Sequence, residues 1–364
     1  MQYNLLNKNQ LNDLISFLAR EQKVVAPVAQ GLNNYAFTEI KNGIQATLNY
    51  IPTTLPPKKY FMPQRETLAT YDTTQGQNMD PVVEHEKVAL FGVHTCDLAG
   101  IQCLNMVFSE KPKDQNYLAR KNAITIIGYE CNAYCDRFAS CRLVHNHTPN
   151  GGYDLFMTNL GDKFILHVNT PAGEKIIERS HLFSLAAKAD LAALERLRQK
   201  KREIFEKNEI PIEHEKIPEL FDKSYQSKVW ADLDKRCVAC GNCTNVCPSC
   251  YCFDVIDEPN LDLTTGRRYR QWDSCQNETF AKVAGGENFR KERGARQRHR
   301  YYRKFRFPIE KFSRFFCTGC GRCSRACMAK IDLKETLVSL IKEQGMENPN
   351  AGRQSTIAEK PATF

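Results

Sequence analysis

Residues 237–248, CVACGNCTNVCP, and residues 317–328, CTGCGRCSRACM, each set four cysteines in the spacing C-x2-C-x2-C-x3-C. The thiols fall at Cys237, Cys240, Cys243 and Cys247 in the first run and at Cys317, Cys320, Cys323 and Cys327 in the second. Two-residue gaps let a tight loop place three sulfurs on three corners of one [4Fe-4S] cube, while the fourth cysteine, carried onto the following helix, reaches the other cube. The spacing therefore predicts a crossed ligand set: Cys237, Cys240 and Cys243 with Cys327, and Cys317, Cys320 and Cys323 with Cys247. Structural zinc is the alternative, but zinc knuckles use two thiols at a time and have no role for the third and fourth of each run. Pro248 follows the first run, whereas Met328 takes that place after the second, altering the turn beyond Cys327 and not the ligand. Two such cubes make the chain an electron conductor.

Outward from the runs, a cluster domain over 225–345 holds eleven of the sixteen cysteines. The runs start 80 positions apart, too far for a short symmetric ferredoxin, so further helices are expected to fill the middle. After the second run, DLKETLVSLIKEQG reads as a helix closed by Gly345, and 346–364 as a loose tail. Cys250, Cys252 and Cys275 lie close to the first run but outside both patterns, and packing or hydrogen bonding is their expected role.

Residues 1–224 read as a mixed α/β domain. Leu11, Leu14, Ile15 and Leu18 recur at helical spacing between Asn9 and Lys23. Short strands are expected at VALFGV, AITIIGY, DLFMTN and KFILHV, a helix before VALFGV, and a charged helical linker from Ala186 to Lys207. The fold class is thus α+β, a mixed α/β region followed by a mostly helical dicluster ferredoxin-type domain. Cys96 and Cys131 each come just past a strand, VALFGV and AITIIGY. Parallel neighbouring strands would bring those ends together, and Cys135 and Cys141 could complete four ligands for a third [4Fe-4S] cluster. The competing reading is a set of buried free thiols, a common fate of cysteine. Cys103, on the following helix, reads as packing.

The length of 364 residues allows two or three domains. The polar start, MQYNLLNKNQ, has no apolar signal core, and no stretch approaches the 18 or so apolar residues of a membrane span; the expectation is a protein of the reducing cytoplasm. The formal charge of +9 is concentrated in 266–306, where ten Arg and three Lys face four acids. Such a run invites a nucleic-acid reading, yet thiolate-bound cubes are themselves negative, and basic side chains that offset them or face a partner explain it better. No GxGxxG follows a strand and no P-loop occurs. Neither the paired C-x2-C motifs of a nickel-iron centre nor the cysteine order of a sirohaem site is present, and no residue reads as an acid or base, so the chain is not expected to be catalytic alone.

FGVHTCDLAGIQCLNMVF, CVACGNCTNVCPSCYCFDV, RRYRQWDSCQNETFAKVAGGENFR and FCTGCGRCSRAC together resemble the β subunits of cytoplasmic nickel-iron sulfhydrogenases and the related electron-transfer subunits of anaerobic sulfite reductases. The resemblance spans nearly the whole chain. It implies two [4Fe-4S] clusters on the eight cysteines of the runs, and a third to which Cys96, Cys131 and Cys141 carry over, with Cys135 beside them. It also implies a subunit that passes electrons between a flavoprotein binding NAD(P) and nickel-iron hydrogenase subunits or, in the alternative, a sirohaem sulfite reductase subunit. Arg322 and Arg325, in and beside the second loop, read either as tuners of cluster potential or as solvent-facing charges.

Overall fold

The computed structural model describes residues 3–75, 78–206 and 210–348. Strands β1 (Tyr3–Asn7), β2 (Lys23–Ala29), β3 (Tyr35–Glu39), β4 (Arg65–Asp72), β5 (Asn78–Pro81), β6 (Val88–His94), β7 (Ile124–Tyr129), β8 (Leu155–Asn159), β9 (Lys163–Val168), β10 (Ser184–Leu185), β11 (Phe253–Pro259) and β12 (Thr265–Trp272) form two sheets. The larger runs β10-β1-β9-β8-β7-β6-β2-β3, with a parallel centre of β2, β6, β7 and β8 and antiparallel strands on both flanks. Every residue of β6 is buried, as a strand covered on both faces requires. Leu90 packs among Phe37, Phe108 and Tyr117 on one face, and Phe91 among Leu14, Leu155 and Leu166 on the other. The N-terminal helix, Leu11–Leu18, covers the second of these faces with Leu14, Ile15 and Leu18.

The smaller sheet, β11-β12-β4-β5, is antiparallel and joins the two halves of the chain. Its strands stand where other elements were expected. The stretch before VALFGV forms β4 and β5 rather than a helix, and much of the space between the cysteine runs is the β11–β12 hairpin. The second half is therefore helical and sheet together, not mostly helical. The register Arg270↔Glu66 puts two charged residues of β12 and β4 side by side. Buried Glu66 pairs with Arg120 and Arg270, and Arg270 also with Asp114, so one ionic knot ties this sheet to the helix Gln115–Ala123.

A third core holds the helices around the cysteine runs. Val229–Arg236, Arg293–Phe305 and Leu333–Glu343 pack through Trp230, Leu233, Tyr301, Phe305, Leu337 and Leu340. Asp332 caps the last helix by accepting from the Lys334 N–H at 2.8 Å, and Gly345 ends it in the left-handed region. Of the expected loose tail, Asn348 is tied down, its N–H donating to the Pro211 carbonyl at 2.9 Å, while 349–364 lie outside the described residues. The linker helix is Lys188–Glu206, and Lys207 lies outside the described residues. Among the described residues no helix is long and apolar enough to cross a membrane.

Candidate metal centres

The two cysteine loops share one backbone course. Ala239 and Gly241 in the first, and Gly319 and Gly321 in the second, all have φ between 53° and 75°, and each loop runs into a one-turn helix, Asn242–Asn245 or Arg322–Arg325. The fourth cysteine is turned in the same way in both: Cys247 N–H donates to the Thr244 carbonyl at 3.2 Å, and Cys327 N–H to the Ser324 carbonyl at 3.3 Å. Cys247 thereby enters a cavity lined by Cys317, Cys320 and Cys323. On the other side Asn242 Nδ2 donates to the Ala326 carbonyl at 3.2 Å, which ties the first loop to the residue before Cys327. Gln297 Nε2 donates to Cys237 Sγ at 3.1 Å.

Burial pushes the Cys243 thiol up to about 12, and those of Cys317 and Cys320 up as well, because a lone thiolate in a dry pocket is costly. Cys247 goes the other way: a hydrogen bond from Cys250 and the nearby Lys304 ammonium outweigh burial and hold it well below the usual thiol range. Arg300 and Lys304 are each 5% exposed, and no carboxylate pairs with either among the described residues. The negative groups they face are thiols: Cys243, Cys323 and Cys247 for Arg300, and Cys247, Cys250 and Cys317 for Lys304. An unpaired buried cation costs several kcal/mol. A thiolate-bound cube supplies the missing negative charge, so the donor set and its surroundings fit the group.

β6 and β7 are parallel neighbours with His94 opposite Tyr129, so their carboxyl ends stand side by side. Cys96 opens the helix Thr95–Phe108 just past β6, and Cys131 starts the loop just past β7. Cys135 and Cys141 of that loop come back to them: Cys135 lies within electrostatic reach of Cys96, Cys131 and Cys141, and Cys96 also of Cys320. The loop leans on the second cysteine run. Ser140 N–H donates to the Gly319 carbonyl at 2.8 Å, and a Cβ on Gly319 would collide with the Cys141 backbone.

Arg322 stands between these two thiol groups. It is 1% exposed and pairs with Asp97 at 2.7 and 2.8 Å, and it donates to the Thr53 carbonyl at 2.6 Å. Its guanidinium faces both Cys320 and Cys96, which removes the solvent-facing reading. Arg325 is half-buried, pairing with Asp136 and donating to the Pro52 carbonyl. Lys201 of the linker helix is buried as well, pairs with Glu130 at 3.0 Å, and faces Cys131 and Cys141. The sequence reading missed Lys201, Arg300 and Lys304. For the last two a signal exists: Arg296, Arg300 and Lys304 recur every fourth residue along one face of a helix that also carries the buried Tyr301 and Phe305.

Residues 236–331 match the family described as a 4Fe-4S dicluster domain. Over 333 residues, 91% of this chain and 96% of the relative, the sequence is 32% identical to sulfhydrogenase 2 subunit beta of Pyrococcus furiosus. The chain belongs to the sulfhydrogenase β-subunit family. It is an iron–sulfur protein of a hydrogenase-related family, and the matched domain covers both cysteine runs and every thiol between them.

Proposed function

We propose that the chain is the electron-transfer subunit of a hydrogenase complex, conducting between a flavoprotein that binds NAD(P) and nickel-iron catalytic subunits. Three [4Fe-4S] clusters would be held by Cys237, Cys240, Cys243 and Cys327, by Cys317, Cys320, Cys323 and Cys247, and by Cys96, Cys131, Cys135 and Cys141. A bound cube takes up and gives back a single electron. What the chain contributes is position and charge. The observation that carries the reading is the cavity where Cys247 of one run joins Cys317, Cys320 and Cys323 of the other, beside two buried cations that no carboxylate offsets among the described residues.

The residues around these sites exclude water and fix the loops. Arg322 and Asp97 clamp the second loop to the helix that begins at Cys96, and Lys201 with Glu130 pins the linker helix over the loop of Cys131. Arg300 and Lys304, which face thiols and pair with no carboxylate among the described residues, favour the reduced, more negative state of a bound cube.

The test is anaerobic purification of the tagged protein from its native host, with co-purifying chains identified by mass spectrometry and iron and acid-labile sulfide counted. Nickel-iron and flavin subunits, with about four iron atoms per chain lost in the Cys131→Ala/Cys141→Ala variant, support the reading. A sirohaem partner moves the terminal enzyme to sulfite reduction, an iron count unchanged in that variant removes the third site, and a lone zinc protein overturns all of it.

A further inference from the structure

The thiols left outside the three groups are gathered by the hairpin. Phe253 of β11 pairs with Trp272 of β12, and Asp273 N–H continues the ladder by donating to the Cys252 carbonyl at 3.0 Å. The turn that follows β12 therefore folds back and sets the Cys275 thiol beside that of Cys252. Gln276 Nε2 donates to Cys275 Sγ at 3.4 Å. Two residues before Cys252, the Cys250 carbonyl accepts from buried Lys58 Nζ at 2.9 Å. Cys250, Cys252 and Cys275 line one cavity, and His299 of the helix Arg293–Phe305 lines it too.

Charge gives a second, independent observation. Lys58, Arg300 and Lys304 are each at most 5% exposed, and Arg303 is half-buried against Tyr251. No carboxylate pairs with any of the four among the described residues. Arg300 faces Cys243 and Cys323, and Lys304 faces Cys247, thiols that the proposed function already gives to cubes, whereas the thiol that acts most on Lys58 and on Arg303 is Cys250, outside those sets. A thiolate-bound group in the neighbouring cavity, where Arg303 forms part of one wall, gives these two cations their partner.

We propose that Cys250, Cys252 and Cys275 hold a further iron–sulfur cluster, with His299 facing its fourth iron. A cluster fits better than a single ion. Among the described residues no three ligand side chains gather to single-ion spacing, and a cube puts each thiolate on its own iron atom. The site shares no ligand with the three groups of the proposed function, so either can fail without the other.

Crystals of the anaerobically purified holoprotein, measured at the iron and zinc absorption edges, test this directly. Iron in the cavity between the three sulfurs and His299 is the expected result; zinc there, or no metal with the Cys252 and Cys275 sulfurs joined, overturns the proposal. In parallel, the Cys252→Ser/Cys275→Ser variant should lose about four iron atoms per chain and one paramagnetic signal of the reduced protein, while the other signals remain. Full iron content in that variant also overturns the proposal, and if it fails to fold the anomalous map decides alone.

Discussion

Replacing Arg322 by Met removes the guanidinium that joins the second cysteine loop to the strand end carrying Cys96. Both partners of the pair lie out of solvent, Arg322 at 1% and Asp97 at 0% exposure, so Asp97 would be left as a buried carboxylate without its cation. Thr53 would also lose the donors that reach its carbonyl and hydroxyl. Breaking a buried pair from one side costs about 3–5 kcal/mol. Unfolding a chain of 364 residues carries an entropy of roughly 0.8 kcal/mol per kelvin, so the thermal midpoint should fall by about 4–7 °C. Scanning calorimetry of the anaerobic holoprotein at one fixed scan rate reads this. The companion is the double variant Arg322→Met/Asp97→Leu, which removes both charges and should recover more than half of the loss, since neither partner is left uncompensated. A midpoint within about 1 °C of the parent for Arg322→Met, or a double variant as unstable as the two single variants summed, would refute the clamp.

The crossed ligand set predicts different footprints for its two fourth cysteines. In Cys247→Ala the thiols of Cys317, Cys320 and Cys323 should become open to anaerobic alkylation, whereas in Cys327→Ala those of Cys237, Cys240 and Cys243 should; mass spectrometry of labelled peptides that finds exposure within the mutated run would uncross the pairing. The Cys131→Ala/Cys141→Ala variant should lose about four iron atoms per chain, and an unchanged count would return these residues to the role of buried thiols. Burial, with Lys201, Arg142 and His145 adding to it, holds His147 down to about 3, against about 6.5 when unfolded. Between those values the unfolded chain binds the extra proton, so stability is full above about pH 6.5 and is lost by up to about 1.4 kcal/mol per unit as pH falls toward 3. The gap between urea midpoints at pH 7 and pH 5 should therefore narrow in His147→Gln, the rest of it belonging to His94, His145 and His299, which burial also holds down, and a variant whose gap equals the parent's would contradict this.

How far the sequence could be read depended on how local each signal was. The cysteine runs are local, and so were the strands β6 and β7, whose largely apolar letters mark burial on both faces. β11 and β4 gave no such signal. In FDVIDEP the described side chains are exposed or half-buried throughout, and β4 finds its β12 partner nearly 200 residues along the chain. A pairing so distant leaves no trace in a window of a dozen residues, which is why helices were expected in both places. The inward-facing cations were hidden for a different reason. Arg300, Lys304 and Lys201 read as solvated charges until the thiols they face are brought beside them, and only the tertiary fold does that.

The seam between the second loop and the loop of Cys141 can be tested because the chain supplies its own control. Gly319 has φ +70°, and its counterpart in the first loop, Ala239, has φ +53°. A side chain at that backbone position is therefore tolerated where nothing crowds it, at a strain cost of about 1 kcal/mol. At Gly319 the added methyl would instead meet the backbone of Cys141, and the neighbouring Gly321 lies equally tight on Phe138. Neither obstacle is the movable end of a side chain, so the two loops must part. Gly319→Ala should then lower the thermal midpoint and loosen iron at both the Cys317 run and the group of Cys96, Cys131, Cys135 and Cys141. Ala239→Gly, which relieves the same φ in the first loop, should leave iron unchanged. If Gly319→Ala keeps its full iron and midpoint, the backbone contact does not hold the two thiol groups together, and their proximity would have to rest on the Arg322–Asp97 and Arg325–Asp136 pairs.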